Sequence, residues 1–172
     1  MPVSASRAIE EMANPYGAEV IRTRTTYRSM MEVAASGRVQ LVGEGKGGFI
    51  FPAFHPALDA LCGIVKTLEY LAKAGEPLSR ILATVPQYRM VREHVPCQWE
   101  LKGSIMRHLI EATKSERVEL IDGIKVHAEH GWVIVVPDGD RPLFHVNAEA
   151  STEPQARELA AKYVDMIRSW QE

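Results

Sequence analysis

Between residues 118 and 150 four short apolar runs follow one another with little room between them: 118–121, 124–128, 132–136 and 143–150. Asp122-Gly123 and His130-Gly131 separate the first three, and Asp-Gly is a strong hairpin-turn dipeptide. Links this short cannot hold a crossover helix, so the runs must pair antiparallel. The fourth run alternates Leu143, His145, Asn147 and Glu149 against Phe144, Val146 and Ala148. That is the period of a strand with one buried face. Two helical stretches complete this half of the chain. Residues 99–113 carry Leu101, Ile105, Leu109 and Ala112 on one side. After Thr152, the residues Ala156, Leu159, Ala160, Tyr163, Val164, Ile167 and Trp170 recur at spacings of three and four. Thr152 with Gln155 matches a capping box, and Pro154 is tolerated in a first turn. A further strand is expected over 88–95. This half therefore reads strand, helix, antiparallel strands, helix.

The first half is punctuated differently. Ala8, Ile9 and Met12 predict a helix over 5–14, stopped by Pro15. Short strands are expected over 18–22, 39–42 and 49–51. Met30, Met31 and Ala34 predict a helix over 27–36, ended by Gly37. A long helix is expected over 56–74, with Leu58, Leu61, Val65, Leu68 and Leu71 as one apolar stripe and Gly75 at its end. Pro77 suits the start of a short helix over 78–84. The boundary between the halves falls at Val85-Pro86-Gln87.

Several function classes are excluded. With 20 basic and 22 acidic residues in 172, the formal charge is −2, without the basic excess that bulk nucleic-acid binding requires. No apolar run is long enough to span a membrane. Cys62 and Cys97 make neither a disulfide framework nor a CxxC metal pair, and a reducing, cytoplasmic setting fits best. The six histidines match no nucleophile signature; His127 and His130, three apart on strands, point to opposite faces. Trp99, Trp132 and Trp170 read as core anchors.

Two loops remain as candidate sites. Gly43-Glu44-Gly45-Lys46-Gly47-Gly48 spells GxGxxG, but the following Phe49-Ile50-Phe51 reads as a strand. A dinucleotide fingerprint needs a helix there. A Walker loop fails because Gly, not Ser or Thr, follows Lys46. Four glycines between apolar strands still let backbone approach a ligand closely. Glu44 and Lys46 then offer an acceptor and a donor suited to vicinal sugar hydroxyls; a solvated turn is the equal alternative. The second loop is Val136-Pro137-Asp138-Gly139-Asp140-Arg141-Pro142. Its acids lack the spacing of a calcium loop, so a turn whose Asp side chains bond backbone N–H groups is the simpler reading.

At these loops the chain resembles the C-terminal half, the third and fourth domains, of the α-D-phosphohexomutases (phosphomannomutase/phosphoglucomutase). The likeness is greatest to the mutase-like region fused behind mannose-1-phosphate guanylyltransferase-type nucleotidyltransferases. Residues 43–51, with Asp59 downstream, lie in the frame of that family's Gly-Glu-x-Ser-Gly-His sugar loop. Residues 136–142 lie in the frame of its Arg-Pro-Ser-Gly-Thr-Glu-Pro phosphate loop, and residues 143–150 and the last helix fit the same pattern. Glu44 and Gly47 match the sugar loop, whereas the family's Ser and His stand here as Lys46 and Gly48. In the phosphate loop its Arg stands as Val136, and its hydroxyl residues as Asp138 and Asp140.

The resemblance implies an α/β fold in two domains. Residues 1–87 would form a mixed-sheet α/β/α third domain, expected to be incomplete at its N-terminus. Residues 88–172 would form an antiparallel sheet with two helices, like the TATA-binding-protein-like phosphohexomutase C-terminal domain. It places sugar contacts at Glu44, Lys46 and Gly47, and the phosphate-loop position at Asp138, Gly139, Asp140 and Arg141. Two carboxylates there should repel a phosphate dianion, partly offset by Arg141. No metal or cofactor is expected on this chain, because the family's phosphoserine and Mg²⁺ loop belong to its first two domains. The start of the chain just before the first expected element suggests a fragment of a longer protein. Expected partners are a hexose phosphate or nucleotide-sugar, those N-terminal domains, and a second copy of the chain. Two functions follow: the sugar-phosphate-recognition part of such a mutase, within a nucleotidyltransferase–mutase fusion for nucleotide-sugar synthesis, or a degenerate non-catalytic module for nucleotide-sugar binding or oligomerisation. Alone, the chain is expected not to transfer phosphate.

Overall fold

The computed structural model describes residues 1–45 and 47–171, and divides into two units, Met1–Pro86 and Gln87–Glu172.

In the second unit, β3 (Arg89–Pro96), β4 (Arg117–Glu119), β5 (Ile124–Ala128), β6 (Gly131–Pro137) and β7 (Leu143–Ala150) form one antiparallel sheet. Its order is β3-β7-β6-β5-β4. The Asp122-Gly123 turn joins β4 to β5, with Gly123 at φ 62°. This is a backbone region that glycine enters without steric cost. The helices α5 (Trp99–Ala112) and α6 (Glu153–Ser169) supply Ile105, Leu109, Ala156, Ala160, Tyr163 and Ile167 to the core. Val91, Val95, Phe144, Val146 and Ala148 meet them from the sheet. The expected alternation of β7 is therefore present, and the Gln155 side chain accepts from the Thr152 N–H at 3.2 Å. Trp132 is buried as anticipated. It stands opposite Glu149 across β6 and β7, and its Nε1–H donates to Oε1 of Glu149 at 2.8 Å. Lys125 lies over the Trp132 ring at 4.3 Å. Trp99, by contrast, is 48% exposed and no core anchor. Trp170 is half-buried at the edge of the core, its ring 5.4 Å from that of His108.

The first unit holds α1 (Ala8–Ala13), a 3-10 turn (Asn14–Tyr16), α2 (Tyr27–Ala35), β1 (Val42–Gly43), β2 (Phe49–Ile50), α3 (Ala60–Ala74) and α4 (Leu78–Ala83). Its sheet is small. β1 and β2 pair antiparallel over two residues each, and Pro2 and Thr23 form an isolated parallel bridge. Met30, Ala34, Val42 and Ile50 make a compact cluster. The strand expected over 18–22 does not form. That segment is pinned instead through Arg22, whose guanidinium donates to the carbonyls of Pro2, Ala5 and Ser6 and to both carboxylate oxygens of Glu10. The strand expected over 39–42 likewise shortens to Val42–Gly43.

Helix α3 starts later than residue 56, because Asp59 caps it by accepting from the Cys62 N–H at 2.8 Å. Its apolar stripe is real but faces outward: Leu61 is 77%, Val65 63% and Leu68 60% exposed. Only Gly63 of this helix is buried. The spacing specified a face but not what would cover it.

Candidate functional site

The glycine loop joins β1 to β2 in the first unit. Glu44 N–H donates to the Gly48 carbonyl at 3.0 Å, and Gly47 N–H donates to the Glu44 carbonyl at 3.2 Å. These two bonds close a tight turn, and Gly47 sits at φ 94°, which L side chains rarely adopt. Gly48 is required for a different reason. A Cβ there would stand 2.9 Å from Leu58 Cδ2 and 3.2 Å from Glu44 Cγ and Oε1. Its absence lets the Glu44 side chain fold back over the turn. The Glu44 carboxylate is half-buried and accepts a long hydrogen bond from the Tyr27 hydroxyl at 3.5 Å. Lys46 lies outside the described residues. A groove of about 510 Å³ runs from Gly47 and Gly48 along α3, lined by Phe49, Leu58, Ile64 and Leu68. Asp59 also lines it and caps α3.

The acidic loop joins β6 to β7 in the second unit and is held on two sides. From below, Lys102 on α5 reaches it. Its Nζ donates to the carbonyls of Asp138 at 2.6 Å and Arg141 at 2.5 Å, and lies 3.5 Å from the centroid of Trp99. Lys102 is buried, so its ammonium is shared between carbonyls and an aromatic face. From above, the Asp138 carboxylate gathers the loop's donors. Oδ1 accepts from the N–H groups of Asp140 and Arg141, both at 2.8 Å. Oδ2 accepts from Arg141 Nε at 3.0 Å and lies 2.8 Å from His145 Nε2, which donates in the Nε2–H tautomer. The His94 ring meets that of His145 edge-on at 4.9 Å. Hydrogen bonding by the Asp140 N–H, then by His145 and Arg141, outweighs desolvation and holds the Asp138 carboxyl well below the usual carboxylate range.

The Asp138 side chain bonds backbone N–H groups of its own turn, as the loop's composition leads one to expect. Asp138 is only 9% exposed along its side chain and serves as the loop's own acceptor. Asp140 contributes its backbone N–H, and its side chain is exposed. Gly139 has open space around its Cα. Sequence reasoning missed Tyr27, Lys102 and His145. For Lys102 no local signal existed, since its partners lie 36 and 39 residues away. Among the described residues, no group of three or more His, Cys, Asp or Glu could hold a metal ion, and no helix is long and apolar enough to cross a membrane.

Comparison with known proteins places this geometry. Residues 1–88 match the family model for phosphoglucomutase/phosphomannomutase, alpha/beta/alpha domain III. The chain belongs to the phosphoglucomutase/phosphomannomutase family. Among its curated relatives is the probable phosphoglucosamine mutase of Methanopyrus kandleri, 37% identical over 172 residues, covering 96% of this chain and 37% of the relative. The phosphoglucosamine mutase of Methanococcus vannielii is 32% identical over 171 residues, covering 97% and 38%. The chain thus spans little more than a third of the length of these relatives. Among solved structures, a phosphoglucomutase/phosphomannomutase family protein from Burkholderia thailandensis superposes with a TM-score of 0.82 at 19% identity, over 98% of this chain and 36% of that one. An N-acetylphosphoglucosamine mutase from Aspergillus fumigatus, solved with GlcNAc-6P and magnesium, gives 0.71 at 16% identity, over 100% and 38%. These structures carry the likeness in fold through both units.

Proposed function

We propose that this chain is the sugar-recognising C-terminal portion of a cytoplasmic phosphohexomutase-like protein that handles hexose or hexosamine phosphates. The observation that carries the reading is the Glu44 carboxylate, folded over a glycine turn beside Tyr27 and half-open to solvent. A carboxylate so held accepts from two adjacent hydroxyls, or from a hydroxyl and an amino group, while neighbouring glycines admit the sugar ring. Lys46 and Gly47 belong to the same loop. The relatives' names, phosphoglucosamine mutases, make a glucosamine phosphate the first ligand to test. Attachment to a nucleotidyltransferase, and the Mg²⁺ and phosphoserine of the family's other domains, are part of this proposal for a longer protein or for partners of this chain.

A second reading is favoured by the other loop. The Asp140 and Arg141 N–H groups and Arg141 Nε are already taken by Asp138, which suits a module that binds a sugar nucleotide or another copy without gripping phosphate. Titration calorimetry with glucosamine 6-phosphate and mannose 1-phosphate tests the first reading. Glu44→Ala is expected to weaken millimolar binding at least tenfold, about 1.4 kcal/mol, with no change in fold. Equal binding by the variant, or no binding by the parent, contradicts it.

A further inference from the structure

Strand β3 is an edge of its sheet. It pairs with β7, and among the described residues no strand lies on its other side. Cys97 N–H donates to the Pro142 carbonyl at 2.8 Å, which continues the β3–β7 register by one pair. Along an antiparallel ladder, residues alternately point their N–H and C=O toward the partner strand and away from it. Residues 89, 91, 93 and 95 therefore bond toward β7, while Met90, Arg92 and His94 present both groups outward. Among the described residues no further backbone hydrogen bond reaches these three. The side chains of Arg89, Arg92, Glu93 and His94 are exposed. An edge of this kind is a template for another strand.

We propose that β3 is a self-complementary docking edge, on which a second copy of the chain adds its own β3, antiparallel, about a two-fold axis through Val91. The charges select both the occupant and the register. A two-fold axis normal to the sheet keeps every side chain on its own face, so a residue opposes only residues an even number of positions away in the second copy. With the axis at Val91, Met90 opposes Arg92 of the second copy, and the outward N–H and C=O groups of each such pair bond one another. Arg89 opposes Glu93 of the second copy, and the symmetry makes this ion pair twice. These two residues form a non-hydrogen-bonded pair, in which Cα atoms stand about 4.5 Å apart and side chains meet. Moving the axis to Arg92 sets two guanidinium groups against each other, and moving it to Glu93 sets two carboxylates against each other. Like charges directly opposite are unfavourable, and opposite charges favourable. Pro96 has no N–H to give, so pairing does not run past it. A formal charge of −2 leaves little long-range repulsion between copies. The inference rests on the second reading above and supplies its contact between copies. Its residues belong to the second unit and Glu44 to the first, so failure of the sugar titration and failure of the pairing are separate results.

The test is sedimentation equilibrium of the full chain from about 10 μM to 1 mM, the range of dissociation constants for a contact of this small area. Amide resonances are followed over the same concentrations. A reversible monomer–dimer equilibrium is expected, with the Met90, Arg92 and His94 amide signals moving as the dimer forms. Arg89→Glu and Glu93→Arg, both at exposed positions, should each weaken the dimer at least tenfold. The double variant, Arg89→Glu with Glu93→Arg, should return to within about threefold of the parent. A chain that stays monomeric at 1 mM overturns the proposal. So does a dimer indifferent to the single reversals, or one that Leu61→Glu on the exposed face of α3 dissolves while the three amides never move. The parent's amide signals decide the matter even if a variant does not fold.

Discussion

Lys102→Met is expected to destabilise the second unit by about 3 kcal/mol, a large effect for one side chain. Methionine keeps most of the apolar stem, so what is lost is the ammonium. That group donates to two carbonyls and lies against the Trp99 ring. A charged hydrogen bond contributes about 1.5–3 kcal/mol, and a partly desolvated cation–π contact about 1 kcal/mol. The Arg141 carbonyl keeps a second donor, the Leu143 N–H at 2.9 Å, so the two hydrogen bonds do not count fully. Leaving the Asp138 carbonyl without its Lys102 donor costs part of the total. Urea unfolding followed by tryptophan fluorescence reads the change. Lys114→Met, at an exposed pair with Glu111, serves as the control and is expected to shift stability by less than about 0.5 kcal/mol. Equal effects of the two substitutions would show that Lys102 does not hold the loop.

Gly131→Ala is expected to cost about 3 kcal/mol by a different route, overpacking against backbone. Gly131 opens β6 and pairs with Ala128 on one side and Ala150 on the other. A Cβ there would stand 1.9 Å from the Glu149 carbonyl oxygen and about 3 Å from Ala150 Cα. No rotamer change relieves a clash with main-chain atoms, so β6 and β7 must part where Trp132 and Glu149 are bonded. For a unit of this size, such a loss lowers the melting temperature by on the order of 15 °C. Gly139→Ala, with nothing within 4 Å of the added carbon, is expected to change it by no more than a few degrees. Thermal melts of the two variants separate the position that needs glycine from the one that merely has it.

The second unit was legible in the sequence because its determinants are local. Asp122-Gly123 and His130-Gly131 set the turns, the alternation from Leu143 set the buried face of β7, and Thr152 with Gln155 marked the start of α6. The first unit depends on long-range partners that periodicity does not name. The 18–22 segment is apolar enough for a strand, yet Arg22 spends its donors on the carbonyls of residues 2–6. The stripe on α3 was readable as a face, but its exposure was not. At the sites the same division holds. The turn around Asp138 follows from bonds to residues two and three positions on, a pattern that Asp favours in any loop. That carboxylate faces its own loop's donors. Tyr27 beside Glu44 and Lys102 beneath Asp138 could come only from the folded chain.

The proposed function puts ligand recognition on the glycine turn and not on the acidic loop. Amide spectra of the chain titrated with glucosamine 6-phosphate distinguish the two. Shifts are expected at Gly43, Glu44, Gly45, Gly47 and Gly48, with Asp140 and Arg141 unmoved. Shifts confined to 138–141, or to neither loop, would contradict it.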